Sequence, residues 1–201
     1  MALLIFDVDG TLIDSAPGII HSVRRALNDL GVPDPDEQWF QDLLGPQINV
    51  SFARIGLGDE AVGRFRGYYL DSGIQHASVY PGIIDVLEVA LNKGHVLVTA
   101  TNKPQATAEK FLQIHGLADY FAAIIGSTPE RDSKEKVIAQ ALAKSRPEET
   151  TLMIGDRDHD ILGAQLNGIP AAAATWGYGS AHEWEQARYK LTRPADLKGL
   201  L

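Results

Sequence analysis

The 201-residue chain contains no cysteine, which excludes a disulfide framework, a thiolate zinc site and a cysteine nucleophile together. It has no apolar run near the ~18 residues that a membrane-spanning helix needs. It is also short of positive charge. Eighteen Lys and Arg stand against 26 Asp and Glu, a formal charge of −8, so nucleic acid and anionic membrane surfaces are disfavoured as partners. The six histidines show no metal-ligand spacing. The apolar opening Met1-Ala2-Leu3-Leu4-Ile5-Phe6 lacks a basic flank and meets Asp7 too early for a signal peptide, so a cytoplasmic location is expected.

What is present suffices for a packed core: 45% of residues are apolar and 22% charged, outside the range of disordered chains. The length exceeds one minimal domain but falls short of two full ones, which suits a core with a small inserted module. Short apolar runs at Leu3–Phe6, Val96–Ala100, Ala122–Ile125, Leu152–Ile154 and Ala171–Ala174 alternate with helical patterns, the βα rhythm of a parallel sheet. Several are apolar throughout, as strands covered on both faces should be. Ile19, Ile20, Val23, Ala26, Leu27 and Leu30 recur at the helical period, and Gly31 closes that helix.

Between about Ala16 and Tyr80 the patterns at Glu37–Leu44, Ile48–Ile55 and Glu60–Leu70 are helical, and no strand stands out. The expectation is an α/β fold. Its core is a Rossmann-like parallel sheet formed by residues 1–15 and 81–201, interrupted by an all-helical cap at 16–80.

Chemistry concentrates after two of the predicted strands. In Asp7-Val8-Asp9-Gly10-Thr11 the two carboxylates lie two residues apart and point the same way at a strand end, where open α/β sheets bind ligands. In Gly155-Asp156-Arg157-Asp158-His159-Asp160, Asp156 and Asp160 would share one face of a helix starting there. Asp7, Asp156 and Asp160 together would make an oxygen-only, negatively charged pocket suited to Mg²⁺ rather than zinc. Either cluster alone also reads as solvated turn and helix-cap aspartates; both at strand ends in one chain favour a site. Thr101 and Asn102 follow another strand and, with the N-terminus of a helix at Pro104, could hold phosphoryl oxygens. Lys134, before a helix expected near Val137, could neutralise charge between a nucleophile and a phosphate, with Lys136 competing for that role.

These motifs, with Thr101-Asn102-Lys103-Pro104, make the chain resemble the haloacid dehalogenase-like superfamily along essentially its whole length, specifically the phosphatase branch with a helical cap. The resemblance implies Asp7 as a nucleophile that becomes an aspartyl phosphate, and Asp9 as general acid and then base. It implies Thr101, Asn102 and Lys134 as phosphate-binding residues. Mg²⁺ would be held by Asp7, the Asp9 carbonyl and Asp156, with Asp160 as a further ligand or a partner of Lys134.

Asp9 separates the chain from the family's dehalogenases, which lack an acid there. Ile19 stands where β-phosphoglucomutase-like members usually carry histidine, which counts against a sugar-phosphate mutase. Asp14-Ser15-Ala16-Pro17-Gly18-Ile19 is similar to phosphoglycolate phosphatases. Trp176-Gly177-Tyr178-Gly179-Ser180 and the Asp156 motif are closer to a bacterial group described as 5′-nucleotidases. The expected partner is a small phosphorylated metabolite, phosphoglycolate or a nucleoside 5′-monophosphate, acted on by a monomer or homodimer. The alternatives are the mutase and a phosphorylatable signalling module.

Overall fold

The computed structural model describes residues 1–143 and 150–201. The chain forms two compact units, Met1–Ile13 with Val79–Leu201, and Asp14–Ser78. It crosses between them through two short strands, β2 (Ile13–Asp14) and β3 (Ser78–Val79), which pair as a ribbon.

The larger unit is built on a parallel sheet of β1 (Ala2–Phe6), β4 (Val96–Pro104), β5 (Ala123–Ser127), β6 (Thr150–Gly155), β7 (Ala171–Ala174) and β8 (Tyr189–Leu191), in the order β5-β4-β1-β6-β7-β8. The central strands are apolar on both sides because both faces are covered. Leu3 and Ile5 pack with Val98, Met153 and Ala173 against Val137 and Ile138 of α7 (Lys134–Leu142) and Ile161 and Ala164 of α8 (Asp158–Leu166). Alternation turns Leu4 and Phe6 to the other face, where the Phe6 ring meets Phe121 edge-on at 6.1 Å. Each such buried Leu or Ile stabilises the fold by about 1.5–3 kcal/mol. Helices α5 (Ile83–Asn92) and α6 (Gln105–Ile114) complete the connections.

The smaller unit is helical: α1 (Ala16–Asp29), α2 (Glu37–Asp42), α3 (Ile48–Ala53) and α4 (Asp59–Asp71), then a 3₁₀ turn at Gly73–His76. A run of ring contacts joins its short helices: Trp39 to Phe52 at 6.2 Å, Phe52 to Phe65 at 6.3 Å and Phe65 to Tyr69 at 5.6 Å. The first helix closes at Gly31 in the left-handed region, φ 65°, as its position after the last apolar residue predicts. No helix among the described residues is long and apolar enough to cross a membrane.

One strand was missed and one expected helix start needs correction. Strand β8 escaped the sequence reading because it is a three-residue edge strand with no apolar run. Helix α7 begins at Lys134 rather than near Val137, because the Ser133 side chain caps it by accepting from the Lys136 N–H.

Candidate active site

Strands β1, β4 and β6 lie side by side at the centre of the sheet, so the residues just past their carboxyl ends converge. Asp7 continues β1, donating its N–H to the Ile154 carbonyl at 2.8 Å. The chain then folds back on itself: Gly10 N–H donates to Ile13 O at 2.9 Å, and Leu12 and Ile13 N–H donate to Val8 O at 3.0 Å. Gly10 takes φ 79° in this turn, and a Cβ there would collide with the Asp156 carboxylate. Asp156 follows β6 directly, and Asp160 lies in the first turn of α8. The helix starts at Asp158, so Asp156 precedes it and does not share a helical face with Asp160, contrary to the i, i+4 expectation. The two carboxylates approach because the loop and the helix start fold toward the same strand ends.

Lys134 ties the cluster together. Its Nζ lies 2.7 Å from Asp7 Oδ1 and 2.8 Å from Asp160 Oδ1, and donates to the Ala100 carbonyl at 2.9 Å. Its side chain is 3% exposed, so this is a buried cation whose hydrogen-bonding capacity is used within the protein. Lys136 is solvent-facing and pairs with Asp132 at 2.7 Å. Geometry therefore brings Lys134, and not its neighbour, into the cluster.

Asp7, Asp156 and Asp160 are buried, and one carboxylate oxygen of each lies within 4.8 Å of the others. Three carboxylates against one ammonium leave a buried excess of negative charge. Burial is the main cause lifting the Asp7 carboxyl to about 6; Lys134 opposes that rise and the Asp160 charge adds to it. Burial, then the charges of Asp160 and Asp7, push Asp156 well above the usual carboxylate range. Asp160 feels the same burial, but Lys134 and His159 pull it below that range. Lys134 would be lowered by burial, yet Asp160 and Asp7 hold it above the ordinary lysine value.

A divalent cation fits this donor set. The site offers only hard oxygen ligands on buried side chains, and the cation's charge would offset the carboxylate repulsion that adds to burial in raising Asp7 and Asp156.

Asp9 stands beside this group, its Oδ1 3.2 Å from Lys103 Nζ. Lys103 also lies over the Phe111 ring at 4.6 Å. Thr101 is buried, and its Oγ1 accepts from the Lys103 N–H at 3.2 Å. Asn102 is half-buried, its carbonyl accepting from Ser127 Oγ at 2.9 Å. Both occupy the extension of β4 past Ala100, where its register with β5 shifts.

Further residues, Thr11 of the Asp7 motif among them, shape Asp156. Thr11 Oγ1 donates to Asp156 Oδ1 at 3.2 Å, the Tyr178 N–H to Oδ2 at 2.7 Å, and the Trp184 indole to the Asp156 carbonyl at 2.6 Å. Gly177 packs so closely on Asp156 and the Gly10 carbonyl that a Cβ would overlap both. Trp176 donates to the Thr11 carbonyl at 3.1 Å, making the Trp176–Ser180 stretch a packed loop. Arg157, ambiguous in sequence, pairs through Nε with Glu183 at 2.7 Å.

The family profile described as haloacid dehalogenase-like hydrolase matches residues 4–174. The chain belongs to this family. It is 40% identical over 185 residues to a protein named tyrosine-protein kinase PtkA from Mycobacterium tuberculosis, covering 89% of this chain and 64% of that one. The chain thus spans about two thirds of the length of the curated relatives it matches first (64%). A 5′-nucleotidase of Pseudomonas aeruginosa is 36% identical over 90% of this chain and 85% of its own. A phosphoglycolate phosphatase of Aquifex aeolicus is 30% identical over 100% of this chain and 97% of its own. Among solved structures, a haloacid dehalogenase-like hydrolase from Streptococcus pneumoniae superposes with a TM-score of 0.91 at 36% identity, covering 100% of this chain and 98% of that chain.

Proposed function

We propose that the protein is a Mg²⁺-dependent phosphomonoesterase that works through an aspartyl phosphate on Asp7. The observation that carries this reading is the buried Asp7 carboxylate, held at 2.7 Å by Lys134 within an oxygen-only cluster with Asp156 and Asp160. A carboxylate attacking phosphorus is repelled by the phosphoryl charge, so it needs cations fixed beside it. Lys134 is one such charge, immobilised by three contacts. Mg²⁺, held by Asp7, Asp156 and the Asp9 carbonyl with Asp160 beside it, would supply the second and polarise a phosphoryl oxygen.

In this reading one Asp7 oxygen attacks phosphorus as the ester oxygen leaves. Asp9, two residues on, gives that oxygen its proton, then takes a proton from the water that hydrolyses the acyl phosphate. Lys103, 3.2 Å from Asp9 Oδ1, would stabilise the carboxylate that remains on Asp9 once its proton has been given to the leaving oxygen. Thr101 and Asn102, at the β4 end, receive phosphoryl oxygens through hydroxyl and N–H donors. The helical unit, inserted in the chain directly after the Asp7 motif, serves as the cap.

The leaving group is a small metabolite, glycolate or a nucleoside, a reading supported by relatives named phosphoglycolate phosphatase and 5′-nucleotidase. A relative named tyrosine-protein kinase favours one second reading, phosphoryl transfer to a protein tyrosine.

The test measures inorganic phosphate released from phosphoglycolate, nucleoside monophosphates and sugar phosphates, with Mg²⁺ and with chelator. Wild type should release phosphate only with the metal, and Asp7→Asn should lose at least about 10³-fold in turnover. Undiminished release from Asp7→Asn would sink the nucleophile assignment. Label moving from the γ-phosphate of ATP to a tyrosyl peptide, with no ester hydrolysed, would replace the phosphatase by the kinase reading.

A further inference from the structure

We infer that Glu183 is a positioning residue for the cation ligand Asp156, acting by locking the loop after β7 against the loop after β6; this rests on the cation-dependent reading above. Glu183 bridges the two loops with both carboxylate oxygens. Oε2 accepts from Arg157 Nε at 2.7 Å and from the Asp158 N–H at 3.2 Å, on the β6 side. Oε1 accepts from the Ser180 N–H at 3.1 Å, on the β7 side.

Two residues before Ser180 the β7 loop delivers its grip on Asp156, the Tyr178 N–H on Oδ2 at 2.7 Å. One residue beyond Glu183, the Trp184 indole donates to the Asp156 carbonyl at 2.6 Å. The contact is close enough that Gly179 has no room for a Cβ against that same carbonyl and indole.

Asp156 needs such restraint. It is fully buried beside two other carboxylates, whose repulsion, once Asp156 is ionised, opposes holding it at the cation position and is resisted by the groups that fix its torsion. Glu183 suits the task chemically. Burial acts to raise its carboxyl, but the bonds from Arg157 and the Asp158 N–H outweigh that and hold it below the usual range, so it remains an ionised acceptor. With its side chain 18% exposed, its truncation removes the bridge without opening a core cavity.

The experiment titrates Mn²⁺ into the full-length, substrate-free protein and reads free Mn²⁺ by electron paramagnetic resonance, for wild type, Asp156→Asn, Glu183→Ala and Glu183→Gln. Wild type should bind and Asp156→Asn should not. Glu183→Ala should bind about 10- to 100-fold more weakly. Glu183→Gln, whose single amide oxygen can accept from either the Asp158 or the Ser180 N–H but not both and which loses the charge facing Arg157, should fall between. A merely structural role would leave this affinity unmoved.

Binding by Glu183→Ala within about twofold of wild type, with Asp156→Asn deficient, overturns the inference and leaves the cation site standing. Wild type that binds no Mn²⁺ removes the cation reading and this inference with it. If circular dichroism shows Glu183→Ala unfolded, Glu183→Gln decides, and wild-type affinity there overturns the proposal.

Discussion

Lys134 and Lys136 are two positions apart with the same side chain, and only their place on one helix turn separates a buried site residue from a surface one. Lys134 at the first position of α7 faces Asp7 and Asp160, whereas Lys136 faces solvent with Asp132. Lys134→Ala should lower kcat/KM by about 10²–10³-fold, the usual loss when one fixed charge is removed from a developing anion. It should also destabilise the metal-free protein by about 3–5 kcal/mol, because two buried carboxylates lose their cation. Lys136→Ala should change either quantity little, since an exposed pair is worth about 0–1 kcal/mol. Steady-state kinetics and urea titration of both variants check this, and a damaging Lys136→Ala would reverse the assignment. That Asp7, Asp156 and Asp160 come together was legible from position, because two carboxylate clusters past apolar runs in one chain converge at strand ends, although either alone also reads as turn or cap residues. The donors from Tyr178, Trp184 and Ser180 were not legible. Two of them are backbone N–H groups that every residue carries, and the third is an indole whose partner lies 28 positions away.

At the scale of elements, the strands that declared themselves were those covered on both faces, Leu3–Phe6 and Leu152–Ile154 above all, where burial excludes polar residues. Tyr189–Leu191 pairs on one side only, as the last strand of the sheet, and its half-buried Tyr-Lys-Leu sequence carries no such mark. The reading of Asp156 and Asp160 as one helical face failed for a related reason: helix starts are set by caps and loop closure, which spacing alone does not reveal. Glycines sort the elements by what surrounds them. Gly177 is wedged between Asp156 and the Gly10 carbonyl, so Gly177→Ala must displace Asp156. A loss of about 1–3 kcal/mol is expected from the overpacking, together with weaker Mn²⁺ binding. Gly63, on the exposed side of α4 with open space around it, is the counterpart. Gly63→Ala should stabilise its helix by about 0.5–1 kcal/mol through backbone entropy alone and leave Mn²⁺ affinity unchanged. Thermal melts with Mn²⁺ titrations separate the two cases, and equal metal affinity for both would contradict the role given to the β7 loop.

For the whole molecule, the buried negative excess links stability, pH and metal. The Asp7 carboxyl rises from 3.8 to about 6 on folding. Protonated Asp7 is therefore favoured in the folded state, and its stabilising share is fully present below pH 3.8 and gone above about 6. The ionised carboxylate at neutral pH then costs about 3 kcal/mol relative to the unfolded chain. Asp160, lowered by its contact with Lys134 against the effect of burial, works in the opposite sense, its contribution lost as pH falls below the ordinary carboxylate range. Between pH 4 and 7 the Asp7 cost grows while the Asp160 gain is already complete. A divalent cation binds only the ionised cluster, so protons compete with it. The rise in Tm produced by Mg²⁺ should accordingly be small at pH 5 and large at pH 7.5, with apparent affinity falling as pH falls, by about tenfold per pH unit for each proton displaced from Asp7 or the likewise raised Asp156. Melts in chelator and in Mg²⁺ across that range measure it directly. A Mg²⁺ effect independent of pH would mean that the cation is held elsewhere. The strong negative charge of the chain, −8 overall, would then be attracting it without specific help from Asp7.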